Sequence, residues 1–402
     1  MKKSRMFVLL PVLVLIFMSA CSSGSKTLKA GIVLNGSAAS VIHKSSFNAA
    51  CEELGIKDDS EIKENIAAEN CFTELTEMVK SGCNVIFTAG DEFEDYAIQA
   101  AQENPDVSFW HYGGQSHIDI RPENFHTYAI DTSQQRYIAG VVAGYKLNEL
   151  YENEILPKNN LKLGYVAELP DADSISDYTA FYLGAKSVCD SVEMDVHFTG
   201  TVEDKSAEIA SAKVLTAAGC TLITQQSVLN SAASVCEENG VFFIGNSSLV
   251  SEDEPTCQIV CTADDYKVCY SSVLEKLISG ESLPRFLVFG AKDGVPQLAK
   301  FNPDTFLTEA TFNKAKTAAD EANAQFAKNQ LGAFNTNRFT VDGKRTETTA
   351  TEELYEIYFG VEYINKYNWF AEYEYCSVPK FSFAVDGINQ LNANEFLHET
   401  SG

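Results

Sequence analysis

The residues best suited to bind a ligand are polar side chains that end short apolar runs. Gln225 and Gln226 close the run "TLITQQ", and two consecutive amides are unusual in a buried strand, which favours a ligand role. Asn246 and Ser247 close "VFFIGNS" in the same way. Asn35 closes "AGIVLN", where a ligand contact and a turn residue are equally good interpretations. Because ligands of open parallel sheets bind at the carboxyl ends of strands, these residues are candidate ligand donors.

Motifs of enzyme chemistry are absent from the sequence. It contains no G-x-S-x-G, no H-E-x-x-H, no G-K-[ST] phosphate loop and no glycine-rich dinucleotide fingerprint. His111, in "SFWHYGG", is predicted to be a core or strand-end residue. The carboxylates of "PDADSISD" are the one candidate metal cluster, and a solvated loop that caps a helix explains them more simply. We therefore predict a protein that is not an enzyme and that uses no metal or cofactor.

Charge and cysteine content limit the partners and the chemistry further. The 402 residues carry a formal net charge of -26, which argues against nucleic acid or anionic lipid as a partner. Eleven cysteines are present. An even number outside the cell would suggest disulfides, whereas cysteine within apolar patterns acts as a small hydrophobic residue. The second interpretation fits Cys51, Cys71, Cys83, Cys189, Cys220 and Cys236.

The N-terminus has the pattern of a lipoprotein signal peptide. Lys2, Lys3 and Arg5 precede the apolar run "MFVLLPVLVLIFM", and "MSAC" places small residues before Cys21. The run is too short to span a bilayer comfortably. We predict a signal peptide over residues 1–20, a lipid on the Cys21 thiol and a tether over residues 21–27. The mature protein would then be anchored outside the cytoplasmic membrane.

Three sequence matches recur in the same order along the chain. Their separations are 133, 137 and about 135 residues, and so nearly constant an offset indicates two copies of one supersecondary plan. Each copy alternates short apolar runs with helical patterns that stop at glycine. The matches are "LKAGIVL" with "LKLGYVA", "GCNVIFTAG" with "GCTLITQQS", and "ENPDVSFWHYG" with "ENGVFFIGN".

Strand–helix alternation predicts an α/β protein with two doubly wound parallel-sheet lobes, a hinge and an interlobe cleft. The predicted first lobe covers residues 28–130 plus 256–282. The second lobe covers residues 131–255 plus 283–402, including a C-terminal extension. A hairpin is predicted around Asp293 and Gly294, another in "NRFTVDGKR", and a helix over residues 308–329. The aromatic tail from Ala350 is predicted to pack rather than to form a stacking surface.

The ordered motifs resemble those of the basic membrane protein family. Its members are substrate-binding lipoproteins of ABC importers, and they include purine nucleoside receptors. The resemblance rests on "LKAGIVL", "NPDVSFWHY", "QRYIAGVVAG", "KLGYVAELP", "AFYLGAKSV" and "FGAKDGVPQL", and it covers roughly residues 28–300. It implies a type I periplasmic-binding-protein fold with the ligand held between two lobes. It also implies a permease as partner.

The resemblance further implies site residues. Phe47 and Asn48 match the family's Phe-Asn, although a position in the helix core is favoured for Phe47. Asp177 and Tyr178 fall near the family's second aromatic position. A purine base would then lie between aromatic side chains. The chain departs from the family at Gly113, where an aspartate is usual, and in "IGNSS" and "CQIVCTADD", which lack the usual aspartate and lysine.

Three other candidates have a structural alternative. Phe93 follows "TAG" and could stack on a ligand at the cleft. Asp131 could contact the ligand, although a helix cap is slightly favoured. Asp264 could accept hydrogen bonds from ribose hydroxyls, or it could lie at the hinge or the surface.

Two functional hypotheses follow. The first is a monomeric, lipid-anchored solute-binding protein of an ABC importer, with a small polar ligand such as a purine nucleoside. The alternative is a ligand sensor or surface interaction lipoprotein of the same fold, with a non-nucleoside ligand.

Overall fold

The computed structural model describes residues 28–114, 121–247, 255–263, 265–345, 364–373 and 376–396. In chain order, its helices and strands are β1 (Ala30–Leu34), α1 (Ala38–Glu53), β2 (Glu61–Lys63), α2 (Ala68–Lys80), β3 (Val85–Ala89), α3 (Glu94–Glu103), β4 (Ser108–Tyr112), β5 (Phe125–Ile130), α4 (Thr132–Glu152), β6 (Lys162–Ala167), α5 (Ala172–Lys186), β7 (Glu193–Phe198), α6 (Lys205–Ala217), β8 (Leu222–Gln225), α7 (Ala232–Asn239), β9 (Phe242–Gly245), β10 (Gln258–Thr262), α8 (Lys267–Ser279), β11 (Phe286–Phe289), β12 (Leu298–Ala299), α9 (Glu309–Ala327) and β13 (Ile388–Gln390).

Lobe 1 is built on a six-stranded sheet in the order β2-β1-β3-β4-β5-β11, with every pair parallel. Both faces of this sheet are covered. Ile32 and Leu34 of β1 pack in the cluster that contains α1 and α8, whereas Val33 packs in the cluster that contains α2 and α3. Burial on both faces explains why the strands are continuous apolar runs.

Lobe 2 repeats the same plan. Its seven-stranded sheet has the order β13-β7-β6-β8-β9-β10-β12, in which β7-β6-β8-β9-β10 matches β2-β1-β3-β4-β5 of lobe 1. The edge strand β12 is antiparallel to β10, and β13 is parallel to β7. Helices α4, α5 and α9 pack together, and α6 contacts α7. The predicted α/β class and the predicted internal repeat are confirmed.

The predicted return of the chain to lobe 1 at residue 256 is wrong. Strand β10 pairs with β9 in lobe 2, and the chain reaches lobe 1 only at α8, which packs on α1. Strand β11 then completes the lobe 1 sheet beside β5. An apolar run does not show which sheet it joins, because pairing partners are chosen in the tertiary structure. The lobes are therefore joined by three crossings: β5 to α4, β10 to α8, and β11 to β12.

The hairpin predicted around Asp293 and Gly294 is also wrong. The flanking strands β11 and β12 belong to different sheets, so this segment is the third crossing between the lobes. In "NRFTVDGKR" the structure has a single antiparallel bridge between Val341 and Lys344. The helix predicted over residues 308–329 is confirmed as α9.

The cysteines occupy apolar positions. Within the described residues ten thiols are free, and nine of them are buried. The six that the sequence placed in apolar patterns are all among the buried ones. Burial raises the pKa of these thiols, for example to about 12 at Cys71 and Cys220. They therefore act as small core side chains.

No helix among the described residues combines the length and the apolar character needed to cross a membrane. The predicted signal peptide and Cys21 lie outside the described residues.

Helices α4 and α5 are in backbone contact through two glycines. A Cβ atom on Gly140 would overlap the carbonyl oxygen of Phe181, and one on Gly184 would overlap the carbonyl oxygen of Tyr137. The two helices can approach this closely only because neither glycine carries a side chain. This contact fixes the position of the first turn of α4 relative to α5.

We expect Gly140→Ala to lower the free energy of unfolding by about 2 kcal/mol, because the methyl group would force the two helices apart. Helix propensity alone predicts the opposite sign, a gain of about 1 kcal/mol. Urea unfolding of the wild type and the variant decides between them. An increase in stability would show that the helices are not held in contact at this position.

Candidate functional site

A cavity of about 400 Å³ lies between the lobes at the carboxyl ends of their strands. Tyr112 ends β4, Ile130 ends β5, Gln226 follows β8 and Asn246 follows β9, and all four line the cavity. This is the edge at which open parallel sheets bind ligands. We call this space the interlobe cavity, and its volume falls within the range of small-molecule sites.

An ion pair between α4 and α5 forms one wall of the interlobe cavity. The Arg136 Nε lies 2.9 Å from Asp177 Oδ2, and Thr132 Oγ1 donates to Asp177 Oδ1 at 2.9 Å. The Arg136 guanidinium also donates to the carbonyl oxygens of Gln225 at 3.1 Å and Gln226 at 3.2 Å. Arg136 and Asp177 are both buried, so the pair is shielded from water. It ties the first turn of α4 to α5 and to the end of β8.

We expect Asp177→Asn to lower the free energy of unfolding by about 3 kcal/mol, because it leaves the buried Arg136 charge without its carboxylate. The matched control is Asp320→Asn, which removes the exposed partner of Lys316 and should be nearly neutral. Chemical unfolding measures both variants. Equal effects of the two substitutions would contradict a structural role for the buried pair.

Two carboxylates face the cavity from opposite lobes. Asp91 comes from lobe 1 and Asp173 from lobe 2, and no described residue forms a hydrogen bond or ion pair with either. Both are solvent-exposed within the cleft, but its walls displace bulk water and raise the pKa of each. That desolvation, together with Asp171, Asp177 and Asp91, raises the pKa of Asp173 to about 7. The site therefore favours ligands that donate hydrogen bonds and disfavours anions.

His111 contributes a neutral imidazole to the cavity wall. Its Nδ1 lies 2.8 Å from Thr88 Oγ1, and its Nε2 has no partner among the described residues. Full burial, helped by the charge of Arg121, lowers the pKa of His111 to about 3. A buried nitrogen without a partner is costly. The sequence identified His111 only as a core or strand-end residue.

Tyr112 and Tyr266 give the cavity an aromatic side that the sequence did not predict. Their hydroxyl oxygens lie 3.2 Å apart, and their rings pack edge to face with centroids 5.2 Å apart. The His43 ring stacks on Tyr266 at a centroid distance of 4.1 Å. His43 Nδ1 also lies 2.8 Å from the hydroxyl oxygen of Tyr270. Such rings can pack against a planar or apolar ligand face.

His43 makes stability depend on pH. Burial lowers the pKa of His43 from 6.5 to about 3, so its stabilising effect is complete above pH 6.5 and is lost as the pH falls. At pH 5 the loss is about 2 kcal/mol. We expect His43→Gln, which keeps a polar group near Tyr270, to reduce the stability difference between pH 7.5 and pH 5 by about that amount.

Urea unfolding at both pH values tests this expectation. The control is His197→Gln, at a half-buried histidine, which should change the pH dependence less. An unchanged pH dependence in His43→Gln would contradict the neutral, buried state of this imidazole.

Three of the predicted site residues line the interlobe cavity: Asp177, Gln226 and Asn246. Their polar atoms already have protein partners. The Gln226 Oε1 accepts from Ser174 Oγ at 2.6 Å and from the Glu168 amide at 3.0 Å. The Asn246 Oδ1 accepts from Thr262 Oγ1 at 2.7 Å. These side chains hold the cavity wall in place, because their polar atoms bond to the protein rather than to a ligand.

Four predicted residues are core residues, and the structure does not bring them to the cavity. Phe47 packs edge to face on Phe87 and Tyr270 in the lobe 1 core. Phe93 is fully buried among α2 and α3, and Tyr178 is buried with its hydroxyl 2.6 Å from Gln390 Nε2. Gln225 is also buried, with its amide bonded to Glu208 and to the Ala232 amide. For Phe47 in α1 and Tyr178 in α5, apolar periodicity along the helix directs the side chain into the core.

The other predicted residues lie beside the cavity or outside the described part of the chain. The Asn35 amide donates to Glu92 at 3.0 Å, and Asn48 is half-buried on α1. Asp131 precedes α4 and accepts from Ser133 Oγ at 2.5 Å and Gln134 Nε2 at 2.7 Å. The Ser247 amide donates to Thr262 Oγ1 at 3.0 Å. Asp264 is outside the described residues.

Within the described ranges no three His, Cys, Asp or Glu side chains converge as a metal site would require.

Comparison with known proteins agrees with this geometry. Residues 40–327 match the family described as ABC transporter substrate-binding protein, PnrA-like. A purine-binding protein of Brucella abortus is 24% identical over 295 residues, which cover 73% of this chain and 77% of that protein.

Solved structures share the fold. A solute-binding protein of an ABC transporter system from Conexibacter woesei superposes with a TM-score of 0.59 at 20% identity, covering 76% of this chain and 97% of that one. A transcriptional activator of the comK gene from Bacillus halodurans gives a TM-score of 0.62 at 17% identity, covering 75% and 98%. At these identities the likeness concerns the fold alone.

Proposed function

This chain belongs to the PnrA-like family of ABC transporter substrate-binding proteins, and we propose that it captures a purine nucleoside in the interlobe cavity and delivers it to a membrane permease. The resemblance that the sequence predicted is confirmed at the level of the family. Proteins of this family work outside the cytoplasm. We propose that Cys21 carries the lipid that holds the protein at the outer face of the cell membrane.

The proposal rests on the composition of the interlobe cavity. It combines two tyrosine rings, Tyr112 and Tyr266, with two carboxylates, Asp91 and Asp173, that form no ion pair with any described residue. The rings suit a purine base, and the carboxylates suit ribose hydroxyls, which donate hydrogen bonds. The purine-binding relative from Brucella abortus supports the same ligand class.

The mechanism is hinge closure driven by the ligand. Asp91 and Asp173 lie on opposite lobes, and burial in the cleft raises the pKa of both carboxyls. Because burial disfavours both charges, we infer that closing an empty cleft is unfavourable. A ligand whose hydroxyls donate to both carboxylates replaces the lost water and joins the lobes. The closed form, with ligand inside, would be the form that the permease recognises.

We expect adenosine to bind at least about 100-fold more tightly than adenosine monophosphate, because the phosphate would meet uncompensated carboxylates in the cavity. Isothermal titration calorimetry of the mature protein measures both affinities. Asp173→Asn should reduce the ratio, and the surface control Asp320→Asn should leave it unchanged.

Equal affinity for the two ligands would contradict the charge argument. Binding of a sugar or an amino acid, with no binding of any purine nucleoside, would favour the alternative of a non-nucleoside sensor.

A further inference from the structure

The C-terminal segment lies outside the residues that match the family. The match ends at residue 327, and the described chain continues to residue 396. This segment is fixed to lobe 2. Phe381 is fully buried in the hydrophobic core cluster of α4 and α5, and Glu372 accepts from Ser176 Oγ of α5 at 2.9 Å. Strand β13 then pairs with β7. Lobe 2 therefore holds the segment on both sides of residues 376–379, which we call the C-terminal tip.

The C-terminal tip crosses to lobe 1. Ser377 Oγ lies 2.6 Å from the carbonyl oxygen of Gly113, to which it donates, and 2.7 Å from Thr127 Oγ1. Gly113 follows β4, and Thr127 is inside β5. Ser377 is 2% exposed, so this contact is sealed from water. The tip is thus carried by one lobe and bonded to the other.

The same tip lines the interlobe cavity. Ser377, Val378 and Pro379 form part of its wall, together with Tyr373 just before them. A segment that bonds both lobes at the cavity cannot keep its contacts when the lobes separate. Hinge opening must therefore break the Ser377 contacts with lobe 1, and hinge closure must restore them.

We propose that the C-terminal tip is a latch that forms one wall of the ligand site and releases lobe 1 each time the cleft opens. The ligand would contact Val378 and Pro379, so this chain would use site residues from outside the family-matched region. The ligand-contact part rests on the proposed function, whereas the latch itself does not.

Cys376 provides a native reporter, because it is buried beside Ser377. We expect its thiol to become more accessible when the tip leaves lobe 1. The experiment measures the rate of alkylation of each cysteine in the mature protein by N-ethylmaleimide, with peptide mass spectrometry. The variants are Ser377→Ala and Thr127→Val, which remove the contact from the tip side and from the lobe 1 side. Ser45→Ala, on the outer face of α1, is the matched control.

We expect both variants to raise the Cys376 rate about tenfold, the factor typical of one lost hydrogen bond. Cys83 in lobe 1 and Cys220 in lobe 2 should keep their wild-type rates, which excludes general unfolding. An unchanged labelling rate of Cys376 in Thr127→Val would contradict the proposal that the C-terminal tip is a latch. An equal rise in the rates of Cys83 and Cys220 would contradict it as well. This result does not depend on any ligand.

A second measurement tests the ligand contact. Adenosine should slow the labelling of wild-type Cys376, and Val378→Ala should weaken adenosine binding about fivefold relative to Val341→Ala, a control in the same segment away from the cavity. Normal adenosine affinity in Val378→Ala would contradict the proposal that the C-terminal tip contacts the ligand. Failure of adenosine to bind the wild type would contradict the nucleoside proposal, and the labelling of Thr127→Val would still decide the latch.

Discussion

The close contact between α4 and α5 is the constraint on which the ligand site depends. Gly140 and Gly184 let the two backbones touch, and this contact sets where the first turn of α4 meets the start of α5. Arg136 and Asp177 meet at that point and form a buried ion pair. The pair in turn holds the end of β8 through the carbonyl oxygens of Gln225 and Gln226. Two residues without side chains thus determine one wall of the cavity.

The charge of the cavity follows from how its acids are paired. Asp177 is neutralised by Arg136 and Glu94 by Arg121, but Asp91 and Asp173 have no cation bonded to them among the described residues. A chain of net charge -26 thus keeps its negative potential inside the cleft. We expect this charge to disfavour phosphorylated solutes and to favour ligands that donate hydrogen bonds. In the proposed function, it would favour nucleosides over nucleotides before any specific contact with a base forms.

The sequence predicted the fold better than the site. The repeat, the parallel lobes and α9 could be predicted because apolar periodicity and glycine stops are local signals. The assignment of β10 to lobe 1 failed because sheet partners are chosen in three dimensions. Phe47 and Tyr178 were chosen by family position, but their helical periodicity directs them into the core. Tyr112, Asp91 and Asp173 were missed because a strand-end tyrosine or a loop carboxylate looks the same whether or not a second lobe faces it.

The most direct test of this account is a crystal structure of the mature protein grown with saturating adenosine. We expect one adenosine in the interlobe cavity, with its base against Tyr112 or Tyr266 and its ribose hydroxyls within hydrogen-bond distance of Asp91 and Asp173. Adenosine bound at another surface, or an empty interlobe cavity at saturating ligand, would contradict the claim that the space between the lobes is the nucleoside site.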